Sequence, residues 1–336
     1  MLALTLSASV FVLPSIPAVL RLLPPRVSKA LMHPIRASPV ANLVYTKLCW
    51  VPFCRLRARW LRAWLTPMLR TKCVYVDWPD VRVLDAAQLP EPKGLRVVSV
   101  SDTHAQQRTL GKLPDGDVLI HAGDLLRRDS RRTDARARLR DVGAWLRKQP
   151  HRHKLVVAGN HDFSLEAMSR DEIEGLLGAR YCEDEGLDIE NARIFLSPFS
   201  ASNSARSENR AFQSPEREAK FRAAIAQETR VDLLVTHGPP RGHLDSGVGS
   251  VGIADAVRAH APRYHIFGHQ HNCAGVAFDK GTVFVNASNC DGFFALVKPA
   301  IVVDIQPGAE LGNEAHSTMR LDLDHARARL HLIKSS

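Results

Sequence analysis

The 336-residue chain has few cysteines, and they are not arranged as in thiolate metal sites or disulfide frameworks. The six cysteines stand at positions 49, 54, 73, 182, 273 and 290, without a C-x-x-C pair or a tight cluster. Structural zinc sites and small disulfide-rich domains place their cysteines close together. The sequence therefore disfavours both, and it predicts scattered free thiols in a reducing compartment.

Glycine and proline are also limited, at 20 residues each, whereas 45% of the residues are hydrophobic. This composition excludes a collagen-like repeat and a disordered polymer. The length allows one large domain or two ordinary ones, and either could bury a full core.

Acidic residues are absent from the first 76 positions, which contain 11 Lys and Arg side chains. The remaining 260 residues hold 34 basic and 35 acidic side chains, a net charge of −1. The overall charge of +10 therefore belongs to a leader, residues 1–76. Because the rest of the chain is nearly neutral, we expect no nucleic-acid polymer as its partner.

The leader has the composition of a targeting or membrane-associating segment. Residues 2–20 are uncharged, but two prolines weaken a transmembrane helix, and basic residues follow the apolar run rather than precede it as in a secretory signal. Residues 21–72 are Arg-rich and acid-free, which is typical of a mitochondrial or plastid presequence. Residues 55–65 predict a basic amphipathic helix suited to an anionic membrane. The prediction is a mitochondrial or membrane-associated location, with import-machinery or membrane contact through the leader; the alternative is an unstructured extension on a cytoplasmic protein.

Domain boundaries follow from the breaks in composition. Residues 77–94 contain several prolines and predict a linker. Residues 95–306 predict the folded domain, and residues 307–336 predict a C-terminal tail with a short hairpin.

Within the domain, short apolar runs repeatedly end in polar clusters. The five runs are Leu95–Val100, Val118–Ile120, Leu155–Val157, Leu233–Val235 and His265–Phe267. Uninterrupted apolar runs of this length indicate strands buried on both faces. Helical patterns at 131–148, at 170–177 and after Ser214-Pro215 separate some of them, so the sequence predicts an α/β fold with its ligand site at the strand ends.

The polar clusters contain only oxygen and imidazole donors. They supply Asp102, His104, Asp124, Asn160, His161, His237, His269 and His271. Such donors suit Mn, Fe, Zn or Mg, and their number exceeds the needs of one ion. Two ions that share a carboxylate are suited to phosphoester cleavage. Each motif alone is weak, since a single strand-end histidine is more often structural; five in order, each after a strand, favour a site.

The order of these motifs resembles the calcineurin-like metallophosphoesterase superfamily. The matching residues are Asp102-x-His104, Gly123-Asp124, Gly159-Asn160-His161-Asp162, His237-Gly238 and Gly268-His269-x-His271. More narrowly, Ser101-Asp-Thr-His, Thr236-His-Gly-Pro-Pro and Val285-Asn-Ala-Ser resemble the metallophosphoesterase-domain-containing branch. The resemblance covers residues 95–305 and implies a β-sandwich flanked by helices, in α/β/β/α layers.

The resemblance also implies a role for each residue. Asp102, His104 and His271 are expected to bind one metal; Asn160, His237 and His269 the other; and Asp124 both. His161 is the expected non-ligand histidine that stabilises phosphoryl oxygens or protonates the leaving group, with Asp162 orienting it. Manganese is the favoured metal.

One stretch departs from the branch. The residues after Ser197-Pro198 lack Trp and Tyr, and up to Phe212 only Phe199 and Phe212 are aromatic.

The predicted function is a dinuclear metal-dependent phosphoesterase that uses metal-activated hydroxide on a small phosphodiester or phosphomonoester, with cyclic nucleotides among the candidates. The alternative is a low-turnover scaffold of the same fold that binds a nucleotide or a partner. Substrate and oligomeric state stay open.

Overall fold

The computed structural model describes residues 65–127, 134–202, 207–306, 317–324 and 329–335. The strands in these ranges are β1 (Lys72–Asp77), β2 (Asp80–Asp85), β3 (Leu95–Val100), β4 (Val118–Ala122), β5 (His153–Val157), β6 (Arg180–Tyr181), β7 (Glu185–Ile189), β8 (Ala192–Ser197), β9 (Leu233–Thr236), β10 (Tyr264–Phe267), β11 (Gly275–Asp279), β12 (Thr282–Asn286), β13 (Ile301–Ile305), β14 (Ser317–Asp324) and β15 (Arg329–Ser335). The helices are α1 (65–71), α2 (Ala135–Leu146), α3 (Arg170–Leu177), α4 (Pro215–Ile225) and α5 (Val251–His260).

The strands form two sheets. The first has the order β2-β1-β13-β3-β4-β5-β6, and the second has the order β15-β14-β11-β12-β10-β9-β8-β7. β3, β4 and β5 are parallel neighbours in the first sheet, as are β8, β9, β10 and β12 in the second. Parallel strands end at the same edge of a sheet, so the residues that follow them are brought together.

Alternation along the second sheet divides the core into layers. Val235 and Ile266 belong to the large apolar cluster that also contains buried residues of the first sheet. Their neighbours Leu234 and Phe267 belong to a second cluster, which includes Phe221 of α4 and other residues of α4 and α5. Successive strand residues point to opposite faces, so the second sheet packs on the first with one face and on helices with the other.

Helices α2 and α3 cover the first sheet in the same way. Val142 of α2 and Ile173 of α3 are buried in the large cluster with the β-strands. Ser169 caps α3 by accepting a hydrogen bond from the Glu172 backbone N–H, and Ser214 caps α4 with Pro215 in its first turn. The α/β/β/α fold class is confirmed, and both of these helix starts lie where the sequence predicts them. Among the described residues, the helix predicted over 131–148 spans Ala135–Leu146.

The boundary predicted between leader and linker is wrong. β1 and β2 fall across it and form one side of the first sheet, with β1 paired in parallel to β13 and antiparallel to β2. Val74, Tyr75 and Val76 are fully buried. Their burial, together with the ladder hydrogen bonds, makes residues 72–85 part of the folded domain rather than a leader end and a linker. Residues 1–64 lie outside the described ranges, and the predictions for them stay predictions.

The C-terminal segment is also part of a sheet. β14 and β15 form an antiparallel hairpin, and β14 pairs with β11 at the edge of the second sheet. In the ranges described above, no helix is both long and apolar enough to span a membrane.

Candidate metal centre

Polar residues from both sheets converge where the parallel strands end. Asp102, Asp124 and Asn160 follow β3, β4 and β5 of the first sheet. His237 and His269 follow β9 and β10 of the second sheet. The polar residues at the strand ends of one sheet therefore lie opposite those at the strand ends of the other.

A first donor group contains Asp102, His104, Asp124 and His271. One ligand atom of each lies within 4.8 Å of the others. His271 Nε2 is 3.2 Å from Asp102 Oδ1 and 3.2 Å from His104 Nε2. His104 Nε2 is 3.8 Å from Asp124 Oδ2. Four donors at this spacing suit a single cation.

A second donor group surrounds Asn160. Its side-chain oxygen Oδ1 lies 3.0 Å from His237 Nε2 and 2.7 Å from His269 Nδ1. His237 Nε2 is also 3.5 Å from Asp124 Oδ1. Asp124 thus faces the second group with Oδ1 and the first group with Oδ2.

Backbone carbonyls hold three of the histidines in place. The Nδ1 atoms of His104, His237 and His271 lie 3.0, 2.9 and 3.0 Å from the carbonyl oxygens of Leu126, Ala122 and Asp291 respectively. A carbonyl can only accept, so Nδ1 carries the proton and donates it. The Nε2 atom that faces the site then keeps its lone pair, which is the form that binds a metal.

Burial controls the charges of the site. It lowers the pKa of His104, His237 and His269, so these rings are neutral near pH 7. Burial raises the pKa of Asp124, and the neighbouring Asp102 and Asp162 charges add to this effect. Burial opposes ionisation of Asp102 as well, but the hydrogen bond and charge interaction with His271 outweigh it and lower its pKa. Neutral imidazoles around buried carboxylates make a donor set that fits divalent cations.

The backbone at the site is held in unusual conformations. Asp102, His104, Asp124 and His269 have φ values of 55°, 46°, 54° and 68°. Residues other than glycine rarely adopt this left-handed region, and such strain clusters at functional sites. Gly159 permits the close packing, because a Cβ atom there would lie 2.3 Å from Asp124 Oδ1.

His161 lies beside the donor groups rather than within either. Its backbone N–H donates to Asp124 Oδ1 at 2.8 Å, and its Nε2 lies 3.9 Å from Asp124 Oδ2. The ring is 7% exposed, and burial is the main cause that lowers its pKa to about 3. His161 is therefore a neutral ring next to the residue shared by both groups.

The Asp162 carboxylate links two backbone segments at the site, and its predicted orientation of His161 stays a prediction. Its carboxylate accepts backbone hydrogen bonds from Leu125, Leu126 and Gly159 at 3.1, 2.8 and 2.8 Å. These bonds use both carboxylate oxygens. Asp162 thereby fastens the segment after β4 to the segment after β5, and it positions Asp124 and Asn160 through the backbone.

Sequence reasoning misses several residues at the site. Ser288 donates a hydrogen bond to Asp102 Oδ2 at 2.7 Å, and its place in the Val285-Asn-Ala-Ser motif is the available signal. Lys298 donates to the carbonyl of His271 at 2.6 Å, and the ring of Phe294 lies beside His104. No local pattern marks the last two, since both depend on the path of the 290–298 loop.

The fold and the site together define a two-sheet α/β protein with a metal-type donor cluster at its strand ends. Residues 95–273 match the calcineurin-like phosphoesterase family. The chain belongs to this family.

Two relatives agree with that assignment by sequence. Human metallophosphoesterase domain-containing protein 1 is 31% identical over 260 residues, which cover 68% of this chain and 77% of the human protein. UPF0046 protein K07C11.7 of Caenorhabditis elegans is 35% identical over 219 residues, which cover 59% of this chain and 70% of the worm protein. Among solved structures, an archaeal phosphodiesterase is similar over 72% of this chain and 100% of its own, with 11% identity and a TM-score of 0.33.

Proposed function

We propose that this chain is a dinuclear metal-dependent phosphoesterase that hydrolyses a small phosphorylated substrate. The supporting observation is the position of Asp124, whose Oδ2 lies 3.8 Å from His104 Nε2 while its Oδ1 lies 3.5 Å from His237 Nε2. A carboxylate that faces two donor groups is suited to bridge two cations. Oxygen and imidazole donors without a thiolate suit Mn, Fe, Zn or Mg, of which we propose manganese.

Each of the two donor groups would hold one ion. Asp102, His104 and His271 would hold one ion, Asn160, His237 and His269 the other, and Asp124 both. Two ions held in this way would lower the pKa of water toward neutrality and neutralise phosphoryl oxygens.

The remaining chemistry belongs to His161. Its neutral ring retains one N–H, which can donate a hydrogen bond to a phosphoryl oxygen; in its protonated form the ring could instead give a proton to the leaving alkoxide and return to the neutral form. Protonation of a leaving group by a positioned acid contributes roughly 10²- to 10⁴-fold to the rate. Because the surrounding side chains are buried, such a hydrogen bond would form away from bulk water, where it is stronger.

A substrate panel tests the proposal. The full chain, loaded with Mn²⁺, is assayed against phosphomonoesters, linear phosphodiesters, and 2′,3′- and 3′,5′-cyclic nucleotides. We expect metal-dependent turnover of at least one class and its loss in Asp124→Asn, which removes the shared charge. Asp188→Asn is the matched control, because Asp188 is an exposed carboxylate paired with Arg193.

The contrary result is equally clear. If the protein binds two ions and hydrolyses none of the panel, the low-turnover scaffold replaces the enzyme. If Asp124→Asn retains full turnover, the bridging role is wrong.

A further inference from the structure

The ring of Phe294 forms a wall beside the metal centre. Its centroid lies 4.9 Å from that of His104, 5.7 Å from that of His161 and 5.2 Å from that of His271. All three pairs are edge-on, with interplanar angles of 69°, 64° and 90°. The ring is half-buried, so part of it borders the space next to the donor groups.

The loop that presents Phe294 is firmly held. The backbone N–H of Phe294 donates to the Asp291 carbonyl at 2.9 Å, and the carbonyl of Phe294 accepts from Gln106 Nε2 at 2.9 Å. Lys298, which is 7% exposed, anchors the far end of the loop to the His271 carbonyl. The ring is therefore a fixed surface.

Arg127 lies on this surface. Its guanidinium carbon is 5.1 Å from the centroid of Phe294, within cation–π range. The side chain is exposed, and among the described residues no hydrogen bond or ion pair of its guanidinium is found. By contrast, the guanidinium groups of Arg96 and Arg108 are both paired with carboxylates. Arg127 thus presents a planar set of N–H donors that the described part of the fold has not used.

The positive charge of Arg127 reaches the site. Burial is the main cause of the lowered pKa of His161, and the Arg127 charge lowers it further. Asp102 and Asp124 would offset only half of the charge of two divalent ions, so Arg127 would add to a surplus of positive charge. A substrate with more than one negative charge would balance that surplus best.

We propose that Arg127, positioned by Phe294, binds an anionic oxygen of the substrate and selects phosphoesters with two negative charges, such as a phosphomonoester dianion. This inference rests on the proposed function and adds to it the charge class of the substrate. Guanidinium donors match phosphate oxygens in geometry, and the ring beneath them reduces the entropy lost on binding.

Phosphate binding tests the assignment without catalysis. Affinity for inorganic phosphate is measured by calorimetry on the Mn²⁺-loaded full chain and on Arg127→Met, which keeps a long side chain without the charge. We expect about tenfold weaker binding in Arg127→Met, the loss of one charge-assisted hydrogen bond. Arg127→Lys should recover part of the affinity. The matched control, Arg108→Met, should bind phosphate as the wild type does, because Arg108 is an exposed arginine paired with Asp141.

Kinetics supply a second readout. Two aryl esters with the same leaving group are compared, 4-nitrophenyl phosphate as the dianion and 4-nitrophenyl phenyl phosphate as the monoanion. In Arg127→Met the KM for the dianion should rise about tenfold and that for the monoanion about threefold or less, with smaller changes in kcat, since the lost contact is mainly one of binding.

The outcomes separate this inference from the proposed function. If both esters are hydrolysed and Arg127→Met behaves like Arg108→Met, the role of Arg127 is overturned while the enzyme stands. If phosphate binding depends on Arg127 but neither ester is hydrolysed, the role of Arg127 stands while the enzymatic proposal fails. Absence of phosphate binding to the wild type also overturns the role of Arg127.

Discussion

At the scale of single residues, substitutions of His161 and His237 test the proposed difference between a substrate contact and a metal ligand. His237 Nε2 faces Asn160 Oδ1 and Asp124 Oδ1, whereas His161 reaches the shared carboxylate mainly through its backbone N–H. We expect His237→Ala to lose metal and His161→Ala to keep it while turnover falls roughly 10²-fold or more. Elemental analysis of the purified variants, with turnover measured on the same samples, checks both.

A loss of one metal equivalent in His161→Ala would show that the two roles are assigned wrongly. His260→Ala provides a control for histidine removal, because His260 is at the end of α5 and belongs to neither donor group. If the loss in His161→Ala disappears for an ester whose leaving group needs no proton, His161 acts as an acid rather than as a phosphoryl contact.

The positions of the candidate ligands can be predicted from sequence because each candidate in the first sheet stands two or three residues after the end of an apolar strand. Asp102, Asp124 and Asn160 inherit their positions from β3, β4 and β5, whose parallel pairing brings their ends together. The contact between Arg127 and Phe294 is beyond such reasoning, because it joins distant segments of the chain and depends on a loop conformation. The hydrogen bonds from backbone N–H groups to the Asp162 carboxylate are also beyond such reasoning, because no side-chain motif reveals them.

At the scale of elements, β1 is the strand that composition conceals. Residues 72–77 (KCVYVD) are apolar and β-branched, but they follow a long acid-free region and share its lack of acidic side chains up to Asp77. The lack of acidic side chains describes the surface of a segment and does not show whether that segment forms a strand. Here β1 forms because it pairs with β13, which lies far along the chain. The strands of the domain interior are predictable, since their apolar runs are bounded by clear breaks.

Because β1 is part of the first sheet, a truncation that removes it should destabilise the fold. Removing residues 1–76 deletes the strand and with it Val74, Tyr75 and Val76, which are fully buried. It also removes the Tyr75 hydroxyl that donates to Asp304 at 2.9 Å. At about 2–5 kcal/mol for each large buried side chain, these three residues contribute roughly 6–15 kcal/mol, which is comparable to the typical total stability of about 5–15 kcal/mol. We expect this truncation to lose cooperative thermal unfolding.

A truncation that removes only residues 1–57 is the matched control, because it preserves α1 and β1. We expect it to unfold cooperatively near the Tm of the full chain, measured by calorimetry or circular dichroism. Cooperative unfolding of the shorter chain that begins at Asp77 would show that β1 is not part of the stable core.

At the scale of the whole molecule, the candidate metal centre lies between two sheets. The first sheet supplies Asp102, Asp124 and Asn160, and the segments after β9 and β10 of the second supply His237 and His269. A cation bound by residues of both sheets would therefore couple the stability of the sandwich to metal concentration. A ligand at 100 times its Kd stabilises the folded state by about 2.7 kcal/mol.

The layered architecture is predictable at this scale, because continuous apolar runs and amphipathic helices limit the possible arrangements. The C-terminal hairpin shows the limit of such reasoning. The alternating pattern at 319–323 predicts a strand, but its attachment to β11 in the second sheet depends on pairing between distant segments. The targeting role of residues 1–64 remains a prediction outside the described ranges.

The central claim, two ions sharing Asp124, is tested most directly by counting and pairing the metals. The full chain is reconstituted with Mn²⁺, and bound equivalents and the electron paramagnetic resonance spectrum are measured for the wild type and Asp124→Asn. The account predicts two equivalents with a spin-coupled Mn pair in the wild type, and a loss of the coupled signal with reduced occupancy in the variant. One equivalent in the wild type, or two coupled ions in Asp124→Asn, would contradict it.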